Sequence, residues 1–452
     1  MLADLTQAYY DDRRHKRRKP YQQRFEAQHE ANLKQLCNDL WNRTYTPAPS
    51  ACFIITDPKQ REVFAAAFRD RIVHHLYYNY THELYERTFI HDSYSCIQHR
   101  GTHFGIKRLE KHIRAASNNY TQRCFVLKMD VRGYFMHINR ERLLAICLRT
   151  LDHMATHRVL KHSTTTWKQM IDMDFVRYLT REIVLLNPTQ NCHRVGRASD
   201  WNGLPDDKSL FHSPMGCGLP IGNLTSQLFS NVYLNELDQY MKRTLHCEHY
   251  GRYVDDFYVV SPDKEWLHRV AQATKTWLRD NLDLTLHEGK IVIASVTQGI
   301  DFLGARLRPY HIEVSTHAKK RMASKLDALH KTIAKQLEQQ LSVDIDKLRA
   351  SLNSFLGIMS HGKNYHTRIR MMERYPLFKR FGYFDKEYLH FIPYGDIIHN
   401  NEQYLQTKII NNYEKISSIF SACSGSNAPS GTKYYCPSNM WTKWTSGKNY
   451  SS

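Results

Sequence analysis

Apolar positions along the chain follow two rhythms, an alternation of period two that predicts strands and a spacing of three or four that predicts helices. The first helical segment runs from Tyr21 to about Asn42, behind a polar and strongly charged start. Cys52-Phe53-Ile54-Ile55 reads as a short strand, and Asp57-Pro58-Lys59-Gln60-Arg61-Glu62-Val63 as a turn into a second one. That pair predicts a hairpin presenting Lys59 and Arg61. From Phe68 the spacing is helical through Leu84, and after a loop over Ser93 to Thr102 another helix covers Phe104 to Ala116. His74 and His75 are adjacent within the first of these helices, so their side chains point about 100° apart. Packing or hydrogen bonding is expected of them, not a shared metal.

Phe125 to Asp130 is a strand that ends in an acid, then turns through Gly133 towards a helix beginning near Asn139. Residues 140 to about 210 are helical, with a polar loop around Asn187 to Asp207. A glycine-rich run, Gly216 to Gln227, precedes an amphipathic helix from Leu228 to about Leu245. In Tyr250-Gly251-Arg252-Tyr253-Val254-Asp255-Asp256-Phe257-Tyr258-Val259-Val260 two neighbouring acids interrupt β-prone residues, which predicts a hairpin tip. A helix from Lys264 to Asn281 and a strand-turn-strand over Gly299 to Arg306 follow. Met322, Leu326, Leu329, Ile333, Leu337 and Leu341, then Ile345, Leu348, Leu352, Phe355 and Met359, mark two helices of a small bundle. From about Tyr375 the chain is aromatic-rich and drifts into a Ser/Gly/Asn-rich end with Trp441 and Trp444, read as an appendage with a partly disordered tail.

Charge narrows the choice of partner. A formal net charge of +19 on 452 residues points to a polyanion, with nucleic acid ahead of a membrane surface. No apolar run reaches spanning length, and the mean hydropathy is -0.59. The ten cysteines form no C-x-x-C pair, which suits reduced thiols in a cytoplasm, and no secretory signal is read at the start. Cys423 and Cys436 lack the spacing of a metal site.

Each chemical feature taken alone has a bland alternative. Asp255-Asp256 is either a solvated turn or a metal site, and Asp130 either a helix cap or a metal ligand. The run Arg13 to Lys19 and the cations Lys319, Lys320, Arg321 and Lys325 are solvated faces or phosphate contacts. Glycines ahead of the Leu228 helix are an ordinary turn or a close backbone platform for a ligand. Together, two strand-end carboxylates from distant parts of a sheet are what a pair of divalent cations in phosphoryl transfer requires.

In this order, the segments from about residue 50 to 370 resemble a reverse transcriptase. The resemblance implies an α+β right-hand polymerase fold: a basic helical extension over 1–45, fingers and palm over 46–311 with an antiparallel sheet flanked by helices, a helical thumb over 312–372, and a C-terminal extension over 373–452. It implies that Asp130 and Asp255 bind metal with Asp256 as partner and Val131 beside them at metal and nucleotide, using two ions of Mg2+ or Mn2+. Lys59 and Arg61 match the cations that hold the incoming triphosphate, and Phe135 the bulky side chain that excludes a ribose 2′-hydroxyl. Lys290 sits where a lysine assists the leaving pyrophosphate, Ile221 and Gly222 fall beside the nascent pair, and Phe302-Leu303-Gly304 looks like the turn that grips the primer end.

One departure narrows the resemblance. Most reverse transcriptases carry Gln-Gly before three variable residues and Ser-Pro, whereas this chain reads Ile221-Gly222-Asn223-Leu224-Thr225-Ser226-Gln227 after Lys208-Ser209-Leu210-Phe211. That form is similar to the enzymes of bacterial diversity-generating retroelements, which copy a template RNA with frequent errors at adenines. Isoleucine in place of glutamine removes hydrogen bonds that help to discriminate bases. The implied partners are template RNA, primer and RNA–DNA hybrid, dNTPs, and an accessory protein that helps hold the template, with no membrane and a bacterial cytoplasmic location. A phage-defence reverse transcriptase with a noncoding RNA template is the alternative. A binding scaffold that does not polymerise is a third reading, opposed by the intact acids, the fingers cations and Phe135. No nuclease motif follows the thumb.

Overall fold

The computed structural model describes residues 1–14, 19–57, 59–160 and 162–394. His15, Lys16, Arg17 and Arg18 of the basic run lie outside the described residues, as do Cys423, Cys436, Trp441, Trp444 and the expected tail.

Three helices open the chain, α1 (Leu2–Arg13), α2 (Pro20–Glu26) and α3 (His29–Trp41). The helix expected from Tyr21 to Asn42 is therefore two. Local periodicity yields to tertiary contact here: the Phe25 ring packs 5.1 Å from that of Phe68, and Asn32 Nδ2 spans the break to the Phe25 carbonyl at 2.9 Å. Leu5, Ala8, Leu33, Leu36 and Leu40 are buried in the main core, so this extension is part of that core.

Strands β1 (Ser50–Ile55) and β2 (Arg61–Ala65) form the expected hairpin, registered from Ala51↔Ala65 to Ile55↔Arg61. Next come α4 (Phe68–Glu86) and α5 (Thr102–Ala116). His74 is buried, with Nδ1 2.7 Å from the Thr225 hydroxyl, while His75 turns to Asp12 at 3.5 Å. The two imidazoles diverge as helix geometry requires.

The central strand β3 (Phe125–Asp130) leads into α6 (Tyr134–His137), α7 (Arg140–Ala155), α8 (Trp167–Met170) and α9 (Met173–Leu185). Inside the polar loop lies a strand not expected from its sequence, β4 (Cys192–Arg194), parallel to β1. Helix α10 (Leu224–Gln239) begins four residues ahead of the expected start and ends in a wider π turn over Tyr240–Thr244. Then β5 (Tyr250–Tyr253), β6 (Asp256–Ser261), α11 (Lys264–Leu282) and β7 (Val292–Ser295) complete a four-stranded antiparallel sheet of order β5-β6-β3-β7.

Both faces of that sheet are covered, which accounts for its nearly continuous apolar strands. Leu127, Met129, Phe257 and Val259 point into the main core with α4, α7, α10 and α11. Val126, Tyr258 and Val260 point the other way, into a smaller core with Leu109 and Ile113 of α5. That second core also receives β8 (Ile300–Phe302) and β9 (Ala305–Arg308), whose outer neighbour is β10 (His311–Val314). Helices α12 (Thr316–Glu338), α13 (Ile345–Met359) and α14 (Tyr365–Glu373) follow, and then a hairpin of β11 (Gly382–Phe384) with β12 (Phe391–Pro393).

Two compact units result, Met1–Leu329 with Gly357–Ile369, and His330–Leu356 with the chain from Arg370. The division cuts α12, so the expected thumb over 312–372 is shared between them. Within the second unit Asn353 clamps the last strand, donating to the Phe391 carbonyl at 3.2 Å and accepting from its N–H at 2.6 Å. Among the described residues no helix is long and apolar enough to cross a membrane.

Candidate active site

Antiparallel pairing of β3 with β6 sets Asp130 directly opposite Asp256, the last pair of a register that starts at Phe125↔Ser261. Asp255 comes next to it. The Val131 N–H, one residue past Asp130, donates to the Asp255 carbonyl at 3.3 Å. Asp130 and the adjacent Asp255 and Asp256, at least 125 residues further along the chain, are thus gathered at one end of the sheet by strand register and the turn that follows it. Asp130 makes no helix cap: its Oδ1 accepts from Lys290 Nζ at 2.8 Å, while α7 is capped by Asn139, whose side chain accepts from Arg142 N at 3.0 Å.

Tyr253 pairs with Asp256, which leaves Val254 and Asp255 as a two-residue turn. Val254 has φ +55°, a left-handed backbone that a β-branched residue avoids. Such a conformation costs on the order of 1–3 kcal/mol and persists only when its surroundings impose it.

Side chains two apart on a strand share a face, so Lys128 accompanies Asp130. Lys128 Nζ lies 4.0 Å from Asp256 Oδ1 and donates to the Asp301 carbonyl at 2.7 Å. Lys128 was legible from that alternation, yet sequence reading passed over it. A cavity of about 520 Å3 opens on this face, lined by Asp130, Asp256, Lys128, Lys290 and Asp301, and by Lys59 from the β1–β2 hairpin. Arg61 is exposed where β2 begins. The hairpin tip is also held from α12, where Lys325 Nζ pairs with Asp57 at 2.6 Å.

Burial pushes the Asp255 carboxyl up to about 6, and the neighbouring Asp130 charge adds to the shift. Asp256 is likewise raised to about 6, by burial first, against the opposing pull of Lys128. Gathered carboxylates without sufficient counter-charge behave in this way. Among the described residues no cluster of three or more His, Cys, Asp or Glu side chains is drawn together tightly enough to hold a metal ion by itself. The acids present nevertheless fit a hard divalent cation in chemistry, being all-oxygen donors whose mutual repulsion such a charge offsets.

Phe135 and Ile221 pack against one small cluster of Cys52, Phe64, Met136 and Leu210. The backbone fixes both: Leu219 N donates to the Phe135 carbonyl and Phe64 N to the Ile221 carbonyl, each at 2.8 Å. Gly222 stands at φ +123°, and a Cβ there would meet Val63 Cγ1 at 2.8 Å and the Phe64 carbonyl at 3.0 Å. Glycine is needed for β2 to pass so close. Phe302 is 1% exposed and packs edge-on to Tyr258 with ring centroids 5.1 Å apart, so its ring is core. Leu303 and Gly304 form the turn that reaches the surface, both with positive φ.

Residues 58–307 match the family described as "Reverse transcriptase (RNA-dependent DNA polymerase)". Protein YkfC of Escherichia coli (strain K12) is 24% identical over 309 residues, covering 61% of this chain and 71% of YkfC. Among solved structures, telomerase from Candida albicans in complex with a TWJ fragment of telomeric RNA is similar at TM-score 0.41 and 12% identity, over 74% of this chain and 58% of that one. Apo telomerase from Candida tropicalis, truncated from its C-terminal domain, is similar at TM-score 0.41 and 10% identity, over 62% of this chain and 59% of that one. This chain spans less than two thirds of either telomerase chain.

Proposed function

The chain belongs to the reverse transcriptase family, RNA-directed DNA polymerases with the right-hand fold, and from that premise we propose that it copies a template RNA into cDNA by nucleotidyl transfer at Asp130, Asp255 and Asp256. The register that sets Asp130 opposite Asp256, with Asp255 bonded to the adjoining Val131 N–H, carries this reading. In the reaction the primer 3′-oxygen bonds to the α-phosphorus of the incoming dNTP, the α–β phosphoanhydride bond breaks, and pyrophosphate leaves.

Asp130 and Asp255, with Val131 and Asp256, would hold two divalent cations, Mg2+ or Mn2+. When bound, these ions supply charge neutralisation and a lowered pKa for the primer hydroxyl. Lys59 lines the same cavity as Asp130 and Asp256 and, with Arg61 near it on the hairpin, binds the triphosphate. Lys290, one hydrogen bond from Asp130, carries positive charge and a proton to the leaving pyrophosphate. Phe135 bars a ribose 2′-hydroxyl, with Ile221 and Gly222 beside the nascent pair. The Leu303-Gly304 turn, anchored by buried Phe302, supports the primer end.

Ile221 supports a narrower reading, in which the enzyme errs at template adenines and serves targeted gene diversification in a bacterial cytoplasm with an accessory protein on the template RNA. Primer extension on a defined RNA with sequencing of the cDNA tests both levels. Errors concentrated at adenines support diversification. Faithful cDNA favours the phage-defence alternative, and no cDNA refutes the polymerase.

A further inference from the structure

Beneath the Val254-Asp255 turn lies an ion pair that the chemistry above does not use. Arg252 and Asp238 are both 0% exposed. Arg252 Nε donates to Asp238 Oδ1 at 2.8 Å and Nη2 to Oδ2 at 2.6 Å, a bidentate pair, and the Tyr250 hydroxyl adds a third donor to Asp238 at 2.6 Å. Removing such charges from water is costly, and a buried pair of this kind is weak support for stability by itself. Its use here is geometric.

The third nitrogen of Arg252, Nη1, donates to the Val254 carbonyl at 3.0 Å and to Asn231 Oδ1 at 3.2 Å. On the other side of the same residue, the Val254 N–H donates to Ser95 Oγ at 3.1 Å. Ser95 is held in turn by Asn231: its hydroxyl donates to Asn231 Oδ1 at 3.1 Å, and Asn231 Nδ2 donates to the Ser95 carbonyl at 2.8 Å. Both main-chain polar groups of the left-handed valine therefore end on side chains braced by α10. Asn231 and Asp238 are seven residues apart there, two turns along one face.

We propose that Arg252, Asp238, Asn231 and Ser95 are positioning residues that hold Val254 in its left-handed conformation and so fix the aim of Asp255 towards Asp130. The inference rests on the polymerase reading of those acids. Arg252 alone is a poor probe, because its loss strands the buried Asp238 charge and the resulting destabilisation masks any effect on aim. Ser95→Ala removes one acceptor without exposing a charge.

The experiment measures single-nucleotide extension, Mn2+ binding by electron paramagnetic resonance, and thermal melting on the full chain for Ser95→Ala, Ser95→Ala with Val254→Gly, and the parent. Ser95→Ala should lower kcat about tenfold and weaken Mn2+ binding severalfold, with the KM for dNTP within about twofold of the parent. Glycine adopts the left-handed region without support, so Val254→Gly in the Ser95→Ala background should recover most of the lost kcat and Mn2+ affinity. Parent-like kcat and Mn2+ binding in Ser95→Ala overturn the inference, as does a loss that tracks melting and is not recovered by glycine. A parent chain that extends no primer removes the polymerase reading, and this inference with it. A parent that extends while Ser95→Ala matches it overturns the inference alone.

Discussion

Lys290 and Asp130, 160 residues apart in sequence, share a hydrogen bond of 2.8 Å between Nζ and Oδ1. Two roles are open to such a lysine, neutralising Asp130 or delivering a proton to the leaving group. Lys290→Arg separates them, since arginine keeps the charge but does not give up its proton near neutral pH. Lys290→Ala should lower kcat on the order of 100-fold, and Lys290→Arg should remain at least tenfold below the parent. Parent-like turnover by the arginine variant in single-turnover extension contradicts the proton-donor role.

Phe135 is fixed at its backbone by the Leu219 N–H, which donates to its carbonyl at 2.8 Å, and its side chain packs against Cys52, Phe64, Met136 and Leu210, the arrangement behind its proposed role in barring a ribose 2′-hydroxyl. Phe135→Ala should raise ribonucleotide use relative to deoxyribonucleotide on the order of tenfold or more. Alkaline cleavage of the extended strand reads this directly.

Ile221 presents hydrocarbon where a glutamine would present an amide, and its backbone is locked to Phe64 at 2.8 Å. Ile221→Gln should lower misincorporation opposite template adenine, because the amide restores hydrogen bonds that penalise a wrong pair. An unchanged error spectrum in sequenced cDNA breaks the link between this residue and fidelity.

What the sequence made legible was whatever repeats at a regular period or sits at a strand end. Helix α11 matches the expected Lys264-to-Asn281 segment within one residue, and α4 and the β1–β2 hairpin fall where their spacing places them. The acids stood out because charge is unusual in a strand. Strand β4 escaped notice: three residues carry no period, and its partner β1 is about 140 residues away. Arg252 and Asp238 were hidden for a different reason. A charge on an amphipathic helix reads as its wet side, and only the tertiary pairing reveals that Asp238 is dry. The division of the first expected helix at Ala27 and Gln28 likewise follows from the Phe25–Phe68 contact.

His74 links α4 to α10 through Thr225, and burial pushes its pKa down to about 4. The ordinary value near 6.5 applies when unfolded, so the unfolded chain binds the extra proton between about pH 6.5 and 4. Stability from this group is therefore complete above pH 6.5 and lost as pH falls towards 4. Between pH 7 and 5 the loss amounts to about 2 kcal/mol. His74→Gln should flatten the pH dependence of denaturant-measured stability by about that amount, and an equally steep profile in the variant contradicts the assignment.

The convergence of Asp130 with Asp255 is tested most directly by primer extension on a defined RNA with Asp130→Ala and Asp255→Ala, alongside RNA binding and thermal melting. Because the Asp255 pKa is raised in the folded chain, ionisation weakens the metal-free fold as pH rises through about 6, and losing that carboxyl should not lower the melting temperature at pH 7. The predicted result is extension reduced at least 1,000-fold in both variants, with RNA affinity and melting close to the parent. Extension retained by either variant contradicts the account.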